Sequence, residues 1–335
     1  MSFANPVPTD GSKRVTSHVM ALSTPWSTGM GLSVPIVNAP MGGAAGAALA
    51  AAVTQAGGLG MIGMGSSATA AQLAEELARL PESARPFGIG LVHWVTEREP
   101  ELLETALAAR PDLLAVSFGT DWGWVRRAHE QGIRTATQVA DVTAARRAAD
   151  AGVDVLVARG AEGGGHGEPR MGTLPLLAEV LDAVEVPVLA AGGITSGRTL
   201  AAVLAAGAAG AWLGTVFTAC TEAATPAEVR DQLIEAPGSA TVLTRVFDLA
   251  LRYDWPATIP ERVLRNEFVD RYDGCEDDLG PDAVAALTAA IAARDYRIAP
   301  VNAGQGVGLV RESRPAAEVI DQLCRDAEKL LRAWA

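Results

Sequence analysis

The sequence predicts an α/β fold, a (β/α)8 TIM barrel with a helical insertion after strand eight. Three observations carry that expectation. Short apolar runs alternate with helix-length Ala/Leu/Glu/Arg segments from residue 35 to about residue 215, the runs number eight, and the rhythm is then lost until a last amphipathic segment. Strict alternation means βα units. An open doubly wound sheet more often has about five to seven strands and needs a switch point, so eight in a row favour closure into a barrel.

The predicted strands are Pro35 to Asn38, Leu59 to Ile62, Phe87 to Leu91, Leu113 to Ser117, Arg134 to Val139, Val153 to Arg159, Val186 to Ala191 and Ala211 to Gly214. Between them lie helical patterns at Ala47 to Ala56, Ala70 to Leu80, Glu101 to Arg110, Trp124 to Gln131, Thr143 to Ala151, Leu174 to Val184 and Thr199 to Ala206. Gly57, Gly132, Gly152 and Gly207 stand where helices should stop, since glycine takes the left-handed closing conformation without a Cβ penalty. Past Thr215, the segments Pro226 to Glu235, Glu261 to Asp270 and Pro281 to Ala293 read as helices joined by Pro- and Asp-rich turns. Ala316 to Arg332 then reads as the helix that closes the barrel, bringing the loop Asn302 to Gly308 back over the strand ends. The expected division is a barrel of residues 1–215 and 300–335, with residues 216–299 as a helical insertion packed on it.

Composition excludes several classes. With 49% hydrophobic and 20% charged residues, the 335-residue chain can bury a large core. A formal net charge of -12, with no dense Lys/Arg cluster, makes nucleic acid and anionic lipid unsuitable partners. Residues 1–17 carry Pro6, Pro8, Asp10 and Gly11 and no apolar run, which is no signal peptide, so a cytoplasmic location is expected. Residues 44–63 are the most membrane-like stretch, but Thr54, Gln55 and the Gly57-Gly58 pair divide it into a helix and a strand. Cys220, Cys275 and Cys324 never fall in CxxC spacing, and neither a disulfide framework nor a metal site is expected. Nothing in the chain opposes a homodimer.

In a barrel the reacting groups sit just after the C-terminal ends of the strands. Four such loops stand out: Ala39-Pro40-Met41-Gly42-Gly43 after strand one, Gly160 to Gly167 after strand six, Gly192-Gly193-Ile194 after strand seven, and Gly214-Thr215 after strand eight. Barrels bind phosphate at the last two positions, where glycines let backbone N–H groups approach the oxygens and Ser196 can cap the next helix. Three glycines before His166 let a flat ligand lie against backbone and leave the imidazole unscreened, so His166 is the candidate base. His93, just after strand three, is a candidate pocket residue, whereas His18 and His129 read as solvated or packed. Gly58 to Gly63 matches GxGxxG but follows a helix and contains a strand, the reverse of a dinucleotide loop. The acidic residues Glu222, Glu267, Glu276, Asp277 and Asp278 read as solvated surface.

Together these loops resemble the nitronate monooxygenase family, formerly 2-nitropropane dioxygenases, which also holds FMN-dependent enoyl and quinone reductases. The matching segments are APMG at 39–42 with AAAVTQAGGLG at 50–60, GAEGGGHG at 160–167, AAGGI at 190–194, LGT at 213–215 and AGQGVG at 303–308. The resemblance implies FMN held by Ala39, Pro40, Met41, Gly42, Gln138, Arg159, Gly160, Gly164, Gly165, Gly192, Gly193, Leu213, Gly214 and Thr215. It makes His166 the catalytic base and places Gln305 beside the substrate, with His93 as a further pocket residue. Gly90 and Arg159 depart from the family, many of whose members have Asn and Gln there. The implied activity is oxidation of an alkyl nitronate or nitroalkane by O2 to a carbonyl compound and nitrite. An NAD(P)H-dependent reductase of a quinone or enoyl thioester, or a non-catalytic phosphate-ligand barrel, would use the same scaffold.

Overall fold

The computed structural model describes residues 22–333. The signal-peptide reading of residues 1–17 and His18 lie outside the described residues. Its strands are β1 (Ile36–Asn38), β2 (Gly60–Gly63), β3 (Phe87–Val92), β4 (Leu113–Ser117), β5 (Arg134–Val139), β6 (Val155–Arg159), β7 (Gly165–His166), β8 (Val188–Ala191), β9 (Gly210–Leu213), β10 (Thr241–Thr244) and β11 (Glu261–Leu264). Eight of them form one parallel sheet in the order β1-β9-β8-β6-β5-β4-β3-β2. A parallel bridge between Val37 and Leu59 brings β2 back to β1, with Leu59 N donating to Ile36 O at 2.9 Å. The barrel of the sequence reading is therefore present, its seventh and eighth strands being β8 and β9.

Period-two alternation sorts side chains into two apolar layers. Val37, Leu59, Met61, Leu113, Val155, Val157, Leu189 and Trp212 fill the barrel interior, where Trp26, Met30 and Leu32 from the segment around the helix Pro25–Gly29 pack against them. Ile36, Ile62, Ile89, Leu114, Leu156, Val188 and Leu213 face the surrounding helices. Interior fit is close enough that a Cβ on Gly88 would lie 2.1 Å from Met61 Sδ. Gly57, Gly132, Gly152 and Gly207 all have positive φ, so the helix stops are where the sequence puts them. No described helix is long and apolar enough to cross a membrane.

After β9 the structure differs from the expected purely helical insertion: it holds the strands β10 and β11 and a further helix, Val246–Leu251. Residues Glu261–Asp270 are not one helix: Glu261–Leu264 is β11, and a helix starts only at Glu267 behind the Asn266 cap, whose side chain accepts from Val269 N. Glu and Arg favour helix, but all four β11 residues are buried against the β-branched partner strand β10 in antiparallel register, Thr241 opposite Leu264 and Thr244 opposite Glu261. Tertiary pairing overrides local propensity here. β11 also pairs with β7, Glu261 opposite His166 and Arg262 opposite Gly165, so the glycine loop after β6 is stitched to the segment that follows the barrel.

Candidate active site

The loops after β1, β2, β6, β8 and β9 enclose a cavity of about 790 Å³ at the C-terminal end of the barrel. Ala39, Pro40, Met41, Gly42, Gln138, Arg159, Gly164, Gly165, His166, Gly192, Gly193, Gly214 and Thr215 line it. Four other predicted site residues do not. Gly160 packs on Thr173, whose Oγ1 would lie 2.3 Å from an added Cβ. The Leu213 side chain is 1% exposed in the outer apolar layer. His93 opens a short helix and stacks over Gly119, with Nδ1 3.7 Å from Glu97. The Gln305 side chain is exposed, while its N–H donates to Glu162 O. What the sequence reading gets right about residues 302–308 is their course: Asn302, Gly304 and Gly306 line the cavity.

Two of the loops bring glycine turns to the cavity wall. Gly192 and Gly193 have φ of +112° and +67°, and Thr173 Oγ1 donates to Gly192 O at 2.9 Å, locking that turn to the loop after β6. A Cβ on Gly214 would find only Met41 Sδ at 3.5 Å and Ala39 Cβ at 3.9 Å, so that side is open to the cavity. Thr215 Oγ1 accepts from Gly304 N, and Thr195 Oγ1 donates to Gly306 O, which straps the C-terminal loop across these turns. Ser196 is the cap the sequence suggests, its Oγ accepting from Thr199 N.

The two departures from the family pattern have structural reasons. At Gly90 a Cβ would lie 2.2 Å from the Pro40 ring, so the ring occupies the room a side chain would take. Arg159, 6% exposed, turns its Nη2 onto the carbonyl oxygens of Gly163, Gly164 and Gly165 at 2.9, 3.1 and 2.9 Å. It thereby curls the glycine loop. Burial, then the neighbouring Arg262, lowers its pKa to about 10, so it remains cationic near neutral pH. Its Nη1 is buried with no partner among the described residues.

His166 is held on both sides. Its ring stacks on Trp255 with centroids 3.7 Å apart and an interplanar angle of 6°. Trp255 is fixed in turn by Nε1 donating to Ser66 Oγ and by edge contacts from Trp94 and Phe118. Nε2 of His166 is 3.0 Å from both oxygens of Asp248. A carboxylate only accepts, so Nε2 carries the proton in this pair and the lone pair is left on Nδ1. Glu261 completes the group: its carboxyl, a ring nitrogen of His166 and an oxygen of Asp248 lie within 4.8 Å of one another. Burial, and then Asp248, push the Glu261 pKa well above the usual carboxylate range.

Asp248, Trp255 and Glu261 are missing from the sequence reading. Each follows β9 and reaches His166 only through the fold. Asp248 had a signal, a lone charge within the apolar helix Val246–Leu251.

The sequence model of the nitronate monooxygenase family matches residues 25–326. A nitronate monooxygenase of Metarhizium robertsii is 34% identical over 94% of this chain and 95% of its own. The nitroalkane oxidase of Streptomyces ansochromogenes superposes with a TM-score of 0.80 at 30% identity, over 92% of this chain and all of that one. A Mycobacterium tuberculosis protein named as a dehydrogenase of a hydroxy-methyl-oxo-octahydroindene carboxyl-CoA is 33% identical over 76% of this chain and 69% of its own.

Proposed function

The chain belongs to the nitronate monooxygenase family, and from that premise we propose that it binds FMN and oxidises alkyl nitronates or nitroalkanes with O2 to carbonyl compounds and nitrite. It is an enzyme of the flavin oxidoreductase kind. The observation that carries the reading is His166, oriented by Asp248 and Trp255 with Nδ1 free, on the wall of a cavity edged by two glycine turns.

The residues present fit the flavin. Gly192, Gly193, Gly214 and Thr215 would hold the phosphate through backbone N–H groups and the Thr215 hydroxyl, residues 39–42 would lie against the ring system, and the free Arg159 Nη1 is a donor left for a bound group. When bound, FMN supplies the electron-accepting chemistry and the route to O2. The chain's own part is proton handling and placement. His166 Nδ1 takes the α-proton of a nitroalkane, and the Asp248 carboxylate on Nε2 stabilises the imidazolium that forms. A nitronate already lacks that proton and skips the step.

The lining supports a small substrate over a CoA thioester or NADPH. Among the described residues Arg159 is the one Lys or Arg on the cavity wall, and its Nη2 is spent on the glycine loop, whereas Glu75, Glu76, Asp248 and Glu261 all line it. Polyphosphate tails need the opposite balance.

The purified protein should be yellow, release FMN on denaturation, and lose its colour on anaerobic mixing with an alkyl nitronate. Stoichiometric FAD, or rapid bleaching by NADH or NADPH with none by nitronate, would overturn the reading in favour of a reductase.

A further inference from the structure

Glu261 is a buried acid that the chemistry above does not use. It is 4% exposed, lines the cavity and sits directly opposite His166 in the ladder between β11 and β7. The groups facing it are Asp248 from the helix Val246–Leu251, His166 from β7 and Thr244 from β10. Thr244 donates its hydroxyl to Asp273, and the neighbouring Arg262 turns its head away to Ala161 O and Thr241. No cation therefore separates Glu261 from Asp248. Two carboxyl groups so placed share one negative charge, because the second ionisation works against the first in a poorly solvated pocket. Asp248 is the one placed to keep that charge, since both its oxygens lie 3.0 Å from His166 Nε2, which can donate to it, whereas Glu261 has no such donor among the described residues.

Proton removal from a nitroalkane creates a second demand. The C–H bonding pair moves into the C–N bond, an N–O pair moves onto oxygen, and the proton goes to His166 Nδ1. The oxygen that gains charge needs a donor; Arg159 has its Nη2 on three loop carbonyls, and its remaining Nη1 is the donor assigned above to the flavin. We propose that Glu261 is a catalytic residue that, as a neutral carboxylic acid, donates a hydrogen bond to this developing oxyanion while Asp248 keeps its charge for His166. Glu261 retains its own proton throughout. The inference rests on the nitroalkane reading for its substrate, and the general device is a carboxylic acid kept neutral by its surroundings so that it can donate.

The test uses the FMN-loaded protein and two variants, Glu261→Gln, which keeps a neutral donor, and Glu261→Leu, which has none. Infrared difference spectra at neutral pH should show a protonated-carboxyl band in wild type that is missing in Glu261→Gln. With nitroethane, Glu261→Gln should stay within about tenfold of wild type, and Glu261→Leu should lose about 10² to 10³ in kcat, the scale of one oxyanion donor. Nitrite, offered as an oxyanion probe and followed by the flavin spectrum, should bind more weakly to Glu261→Leu than to Glu261→Gln. FMN content of each variant reports whether it folds. The proposal is overturned if the band is absent, if Glu261→Gln loses as much as Glu261→Leu, if nitrite binds the two variants equally, or if wild type binds Mg²⁺ or Zn²⁺ tightly and Glu261→Gln does not. Should wild type oxidise neither nitroethane nor its nitronate, the proposed function falls while the band and the nitrite titration still decide the role of Glu261.

Discussion

Among the described residues the barrel carries two histidine–aspartate pairs of nearly the same length, one at each end. His129 Nε2 lies 2.8 Å from Asp154, with side chains 41% and 37% exposed, and His166 Nε2 lies 3.0 Å from Asp248, with side chains 14% and 5% exposed. Asp154 stands just before β6 and also accepts from Thr135 N and Oγ1, both at 2.7 Å, so it clips two strand starts together. Asp248 touches no strand start; it shares its pocket with Trp255 and Glu261 and fixes which nitrogen of His166 is free. The same two residue types make a structural clip where water screens them and, where water is kept out, the histidine we propose as the base. That division matches the general split of such barrels, with stability at the N-terminal face and chemistry at the C-terminal one.

The largest expected break between the two pairs is kinetic. His166→Asn should abolish nitroalkane turnover, a loss of about 10² to 10⁴, while sparing much of the turnover of the nitronate and retaining FMN. His129→Asn should leave both rates unchanged. Initial rates on the two forms of one compound at matched pH decide this, and equal losses of both for His166→Asn would remove it as a base. Next comes the cofactor: Gly214→Leu sends a side chain into open cavity space and should strip most of the FMN while leaving the melting temperature of the apo protein nearly unchanged. Full flavin content in that variant would place the phosphate elsewhere.

The smaller effects concern stability, and Asp154 at one end and Glu261 at the other should respond to pH with opposite sign. Burial pushes the Asp154 pKa up, but hydrogen bonds from Thr135 and His129 outweigh it and leave it below the usual value. Its contribution is thus present above the ordinary carboxylate range and lost as pH falls through the lowered value. Asp154→Asn should destabilise by about 1–3 kcal/mol near neutral pH, the scale of lost charged hydrogen bonds, and the gap should close in acid. Glu261 is the reverse. Its raised pKa stabilises fully only below the ordinary carboxylate range, and that advantage is lost as pH rises through the raised value. The melting temperature of Glu261→Gln relative to wild type should therefore climb from acid to neutral pH, and a flat difference would show that folding leaves the Glu261 pKa at its ordinary value, with the group ionised at neutral pH.

The barrel is legible in the sequence because parallel strands covered on both faces are unbroken apolar runs, and its four catalytic-end loops are legible because glycines cluster there. His166 stands out for the same reason. Its partners do not, because Asp248 is 82 residues away and the contact exists only once β11 has paired with β7. The stretch Glu261–Leu264 is misleading in isolation: charged, helix-favouring letters occupy a strand whose identity is set by β10. Gly160 and Leu213 show a further limit. A motif marks a stretch of loop or strand end, while which of its residues turns toward the cavity depends on pleat and packing.

The ladder between β7 and β11 also bears on how this scaffold can be remade. Barrel enzymes are often imagined as a fixed frame with exchangeable loops, each loop carrying its own share of specificity. Here two loops are one piece of fabric: Gly165 and His166 exchange backbone hydrogen bonds with the 261–262 segment, and Gly167 N donates to Pro260 O. Grafting the region 241–264 from another barrel would carry off the acid, the aspartate and the tryptophan together and unpin the histidine that stays behind. Variation of substrate in such a molecule would have to come from single side chains on the cavity wall, because the larger unit cannot be traded without dismantling the surroundings of His166.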